Sequence, residues 1–159
     1  MPSAVRDIFE NYVIDRFDLE DCIAVNNGTS AIIAPLWSMD LQPGDEVITT
    51  PFTFIATSHS LIWNDITPVF VDTDNYFGNI CPEKLEFNIT SNTSGILSVH
   101  NYGLPGDLEK IDKIAEKHNL GLIYDGAPAF NVKLNKKSIL NHGDYSVLSF
   151  HATKVFTTF

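Results

Sequence analysis

The chain has 159 residues, 44% hydrophobic and 19% charged, enough to enclose one core and too apolar for a disordered segment. Net charge is −10, from 20 acidic against 10 basic residues, which argues against nucleic acid or an anionic membrane as the main partner. No stretch reaches the roughly 18 uninterrupted apolar residues of a membrane span and the acidic N-terminus lacks the apolar core of a secretory signal; the two cysteines, Cys22 and Cys81, form neither a C-x-x-C pair nor a disulfide framework, so a reducing cytoplasm is the expected setting.

In chain order, a first strand is expected at CIAV (22–25), followed by NNGTSA and a helix over 28–39 with apolar positions Ile32, Ile33, Leu36 and Trp37. A strand at EVIT (46–49) precedes the breaker Pro51 and a helix over 53–63. Strands follow at TPVFVD (67–72) and GILSVH (95–100). The clearest helix runs over 107–118: Leu108, Ile111, Ile114 and Ala115 share one face, Asp107 is placed to cap its start, and Asn119 to stop it. Strands GLIYD (121–125) and YSVLSF (145–150) complete the series. Alternating strands and helices predict an α/β fold, a mostly parallel sheet between two helical layers, with ligands beyond the carboxyl ends of the strands.

Three of those strand ends carry chemistry. After the first strand, Gly28 permits a tight turn while Thr29 and Ser30 bring hydroxyls to a helix N-terminus, where an anion such as phosphate is favoured. Ordinary N-capping by Thr29 explains the same residues, and the absence of G-x-G-x-x-G and of a Walker lysine disfavours a dinucleotide or NTP. In YDGAPA, Asp125 ends a strand expected to be buried; it caps the turn at Gly126 or matches a cationic ligand nitrogen. In SFHATK, Lys154 follows the last strand among small and apolar residues; it is a solvated loop lysine or, if desolvated, a nucleophilic amine. Together the three suit the phosphate, pyridine nitrogen and aldehyde of pyridoxal 5′-phosphate (PLP).

The ordered set NNGTSAI, LQPGDEVITTPFTFIAT, TPVFVDTD, VHNYGLPGDLEKIDKIAEKHNLGLIYDGAPA and GDYSVLSFHATK resembles the DegT/DnrJ/EryC1/StrS family of PLP-dependent sugar aminotransferases, from about Phe9 onward. The resemblance implies the aspartate aminotransferase-like large domain, three-layer α/β/α with a mostly parallel mixed sheet. It implies that Lys154 bonds the cofactor aldehyde, Asp125 pairs with the pyridine nitrogen, Ser149 with Thr29 and Ser30 holds the phosphate, and Phe54 stacks on the ring. It further implies a nucleotide-linked keto-deoxy sugar as substrate, glutamate as donor, a role in amino-sugar and surface-polysaccharide (lipopolysaccharide) biosynthesis, and a homodimer.

Two departures temper this. Pro128 stands where the family has Gln or His near the cofactor's ring hydroxyl, and AFNV (129–132) replaces the histidine-glycine that follows. Members of the family also continue past the lysine, so residues 1–159 are expected to be a partial large domain with the small C-terminal domain absent. The alternatives are a truncated, non-catalytic remnant, a PLP-dependent sugar dehydratase, in which histidine usually replaces the lysine, and a nucleotide-binding domain unrelated to PLP.

Overall fold

A computed structural model describes residues 3–158; Met1, Pro2 and Phe159, at the limits of the expected partial domain, lie outside the described residues. Helix α1 (Ser3–Phe17) leads through an irregular stretch to α2 (Gly28–Ser38), β1 (Glu46–Thr49), α3 (Ala56–Ile62) and β2 (Thr67–Phe70). Then come α4 (Pro82–Phe87), β3 (Thr93–Val99), α5 (Leu108–His118), β4 (Gly121–Asp125), the short β5 (Lys133–Leu134) and β6 (Lys137–Ser138), and β7 (Tyr145–Val147). Five strands form one sheet in the order β2-β1-β3-β4-β7, each neighbouring pair parallel. Antiparallel pairing is confined, among the described residues, to the β5–β6 ribbon and a Thr73–Ile80 bridge.

The period-two alternation of the strands sorts their side chains into two layers. Val47, Leu97, Ile123 and Val147 pack against Ile32 and Leu36 of α2 and Leu61 of α3. Ile48, Ile96, Leu122 and Tyr124 pack on the opposite face against Leu85 of α4 and Leu108, Ile111, Ile114 and Ala115 of α5. Each of these fully buried aliphatic side chains contributes about 1.5–3 kcal/mol, and β-branched residues suit such two-sided burial. The expected three layers are therefore present. A third cluster, around Val13, Phe17 and Leu140, seats α1 against the segments on both sides of β7, with Leu148 and Phe150 packed on it from the far side.

Helix α5 follows its sequence signals closely. Asp107 Oδ1 accepts from the Lys110 N–H at 3.2 Å, and Asn119 ends the helix in the left-handed conformation, φ 53°. The helix expected over 53–63 narrows to α3, because a single turn, Thr57 N–H to Phe54 C=O at 3.0 Å, precedes regular winding. Trp37, expected on the buried face of α2, is instead 73% exposed and donates Nε1–H to Asn64 Oδ1.

The expected strand at 22–25 does not form. Acidic side chains take the amide hydrogens a sheet would use: Cys22 N–H donates to Asp21 Oδ1 and Ala24 N–H to Glu10 Oε1, each at 2.7 Å. The β-prone side chains Ile23 and Val25 are left exposed. The strands expected at 67–72 and 145–150 end early, at Phe70 and Val147, and the chain leaves the sheet where the candidate site begins.

Candidate active site

The candidate residues gather at the carboxyl ends of β1, β4 and β7. Asp125, the last residue of β4, alternates onto the α2–α3 face and is 5% exposed. Its Oδ1 accepts from the Ala127 N–H at 3.0 Å and its Oδ2 from the Thr57 hydroxyl at 3.3 Å. Burial pushes the Asp125 carboxyl above its ordinary range; those two hydrogen bonds and the positive charge of Lys154 act the other way. The balance lies with desolvation, so this anion is under-compensated by the protein's own groups. That is the condition under which a carboxylate accepts a cationic ligand nitrogen.

Thr57 is the residue that sequence reasoning missed. It is fully buried on α3, and its hydroxyl also meets that of Thr53 at 2.8 Å. A hydroxyl chain, Thr53–Thr57–Asp125, therefore runs from the loop after β1 to the end of β4. The signal was present in TFIAT: hydroxyls four residues apart share one side of a helical turn.

After β7 the chain bends so that Ser149 lies against Gly28; a Cβ on that glycine would sit 3.7 Å from both Ser149 Cβ and Oγ. Ser149 Oγ also accepts from the His151 N–H, and the Lys154 N–H closes a turn on the His151 carbonyl at 2.8 Å. At the start of α2, Asn27 Oδ1 accepts from the Ser30 N–H at 2.9 Å, so Asn27, rather than Thr29, is the side-chain cap. Thr29 and Ser30 follow Gly28 in the first turn of α2, at the positive end of an 11-residue helix. Through Gly28 the start of α2 meets Ser149, an arrangement suited to an anion, and the charge of Lys154 reaches Asp125. Phe54, the expected ring-stacking residue, is 78% exposed and stands one turn before Thr57. Clefts of about 340 Å³, lined by Phe52, Tyr76, Phe77 and Tyr102, and about 700 Å³, lined by Met39, Asp112 and Asp144, include neither Asp125 nor Lys154.

The two departures from the family pattern have structural counterparts. The turn after Asp125 is held by backbone bonds, Gly126 N–H to the Val147 carbonyl at 2.9 Å and Ala129 N–H to the Gly126 carbonyl at 2.7 Å, so Pro128 supplies no donor there. Asn131, within AFNV, takes φ 59°, a left-handed conformation that glycine and asparagine tolerate.

The opposite side of β4 carries a second polar group with no part in these contacts. Tyr124 OH donates to Asp112 Oδ1 at 2.9 Å, and Asp112 Oδ2 lies 2.7 Å from His142 Nδ1. His100 stacks on the Tyr124 ring, centroids 4.9 Å apart, with both ring nitrogens buried and unpartnered among the described residues. Burial, with a smaller push from His142 and a counter-pull from Asp112, lowers its pKa to about 4.

A parallel sheet between helices, with a lysine and a buried aspartate at its open end, is the large-domain architecture of aminotransferases. The chain belongs to the DegT/DnrJ/EryC1/StrS aminotransferase family, whose sequence model matches residues 5–159. It is 52% identical over 134 residues to the dTDP-4-amino-4,6-dideoxy-D-glucose transaminase of Shigella dysenteriae, covering 84% of this chain and 36% of that protein. The aminotransferase structure from Psychrobacter cryohalolentis superposes with a TM-score of 0.93 at 39% identity, over 96% of this chain and 38% of that one. NtdA from Bacillus subtilis, solved with bound cofactor PMP, superposes with a TM-score of 0.91 at 31% identity, over 96% and 34%. The chain thus spans well under half the length of these relatives. Among the described residues no helix is long and apolar enough to cross a membrane.

Proposed function

We propose that the protein carrying this chain is a PLP-dependent aminotransferase. It moves an amino group from an amino acid, glutamate by expectation, to a nucleotide-linked keto-deoxy sugar, in the cytoplasm and as a homodimer. The observation that carries the reading is Asp125, a carboxylate 5% exposed at the end of β4, held by the Ala127 amide and the Thr57 hydroxyl and acted on by the charge of Lys154. The similarity to a dTDP-sugar transaminase supports a dTDP-linked substrate and a role in surface-polysaccharide biosynthesis.

The cofactor, when bound, supplies an electron sink beside the carbon that loses a proton. Asp125, whose ionised form the Thr57 hydroxyl and the Ala127 amide favour against desolvation, would face the ring nitrogen and favour its protonated form. Lys154 would hold the cofactor through its aldehyde, and its amine, when free, could take and return a proton as base and acid. Ser149, Thr29 and Ser30 would hold the phosphate, and Phe54 is the side chain that would lie against the ring.

Lys154 disfavours the dehydratase reading. The experiment is an amino-transfer assay: PLP, glutamate and a dTDP-linked 4-keto-6-deoxyhexose, with 2-oxoglutarate and aminated sugar as products. Wild type is expected to make both in equal amounts and Lys154→Ala neither. Equal turnover by Lys154→Ala would remove the lysine from the mechanism, and failure with every nucleotide-linked keto sugar would overturn the substrate class.

A further inference from the structure

Lys154 sits on a loop that carries no regular structure, from His151 to Val155. Something other than a strand or helix must fix where its amine points. The residues on either side of that loop are both phenylalanines, Phe150 and Phe156, and both reach the same ring. Phe130 stacks face to face on Phe156, centroids 4.6 Å apart and planes 8° from parallel. It meets Phe150 edge-on at 6.0 Å, while Phe150 and Phe156 meet each other at 6.1 Å and 80°. Three rings thus close the base of the loop like a ring of staples.

The triangle is tied to the rest of the molecule at two further points. Phe17 of α1 meets Phe130 edge-on at 5.4 Å, and Phe9 of the same helix meets Phe150 at 5.2 Å. Arg16 Nη2 donates to Asn131 Oδ1 at 3.2 Å, which fastens α1 to the backbone bend that presents Phe130. Phe130 itself lies five residues beyond Asp125. One ring therefore links the segment leaving the aspartate to both sides of the lysine loop.

We infer that Phe130 is a positioning residue: by clamping Phe150 and Phe156 together it holds the Lys154 loop so that the lysine amine faces Asp125. This reading rests on the proposed role of Lys154. Aromatic pairs of these geometries each add about 0.5–1.5 kcal/mol beyond burial, so losing the two that flank the loop is expected to raise its opening about tenfold or more.

The test uses the protein carrying this chain, with Phe130→Ala, Phe130→Leu and Phe130→Tyr. The first readout, hydrogen exchange, needs no cofactor. Phe130→Ala is expected to speed exchange of the Lys154 amide about tenfold while α5 and β4 stay protected, with Phe130→Tyr close to wild type. The second readout is the rate at which PLP is trapped on Lys154 by borohydride. It is expected to fall about tenfold in Phe130→Ala, less in Phe130→Leu, and to be restored in Phe130→Tyr. A variant that only loosened the fold would lower the melting temperature without a selective change at residues 151–156. Unchanged exchange at Lys154 in Phe130→Ala, in a protein that still melts cooperatively, overturns the clamp. Failure of the wild type to take PLP at Lys154 overturns the proposed function instead, and the exchange result still decides whether Phe130 holds the loop.

Discussion

Tyr124 and Asp125 are neighbours on β4, both buried, and they face opposite layers of the molecule. On the α5 side the tyrosine hydroxyl is answered by Asp112, which in turn is answered by His142. On the α2–α3 side the aspartate has one amide, one hydroxyl and the influence of a lysine, and burial still raises its pKa. The first network closes on itself and ties α5 to the sheet. The second leaves charge to be matched. His100, stacked on Tyr124 with both ring nitrogens unpartnered among the described residues, shows that a missing partner alone does not mark a site; Asp125 differs in that Thr57, the Ala127 amide and Lys154 converge on it.

Mutations on the two sides should therefore divide cleanly. The largest effect expected is on activity: Asp125→Asn lowers kcat by at least about 10²-fold, judged from what a positioned charge contributes at a reacting centre. The same change should raise the melting temperature of the cofactor-free protein at neutral pH. Since the folded carboxyl pKa lies above the unfolded one, burying the ionised form opposes folding there, and the amide removes that opposition. Amino-transfer rates and thermal melts on one preparation check both halves. A variant that lost activity and stability together would place Asp125 with Tyr124 as a structural group.

On the other side, His100 should dominate the acid limb of stability. Its folded pKa of about 4 lies below the unfolded value of 6.5, so the unfolded state binds the proton first. Stability is fully present above pH 6.5, falls as pH drops from 6.5 to 4, and loses on the order of 3 kcal/mol over that window. His100→Phe keeps the stack on Tyr124 and should flatten that dependence in denaturant titrations. A wild-type stability that is constant across the window contradicts the assignment.

Tyr124→Phe removes one hydroxyl and strands Asp112's oxygen, an expected loss of about 1–2 kcal/mol in denaturant midpoint with kcat unchanged. The smallest effect belongs to Thr57. Its hydrogen bond lowers the Asp125 pKa, so Thr57→Val should move the acid limb of the rate profile to higher pH, and Thr57→Ser should restore it. A Thr57→Val profile that overlays the wild type would leave the hydroxyl chain without a role.

The same two sides differ in how far the sequence revealed them. Period-two strands and the 3.6-residue face of α5 are local patterns, and so β1, β4 and α5, with its Asp107 and Asn119 ends, were readable residue by residue. Asp125 and Lys154 drew attention because strand ends are where such sheets bind ligands, whereas Ser149 was expected only from the family resemblance. What escaped depends on distant partners. The segment 22–25 reads as a strand until Glu10 and Asp21 take its amides. Thr57 matters only because α3 lands 68 residues away from its carboxylate in sequence. Within AFNV, the packing of Phe130 shows only when rings from opposite ends of the chain gather around it and Phe150.

Reduction with borohydride in the presence of PLP, followed by peptide mass mapping, tests the pairing of Asp125 with Lys154 most directly. The account predicts one stoichiometric cofactor-sized addition on Lys154, lost in Lys154→Ala and slowed in Asp125→Asn. Addition spread over exposed lysines such as Lys84, Lys110 and Lys117, or undiminished in Lys154→Ala, would contradict it.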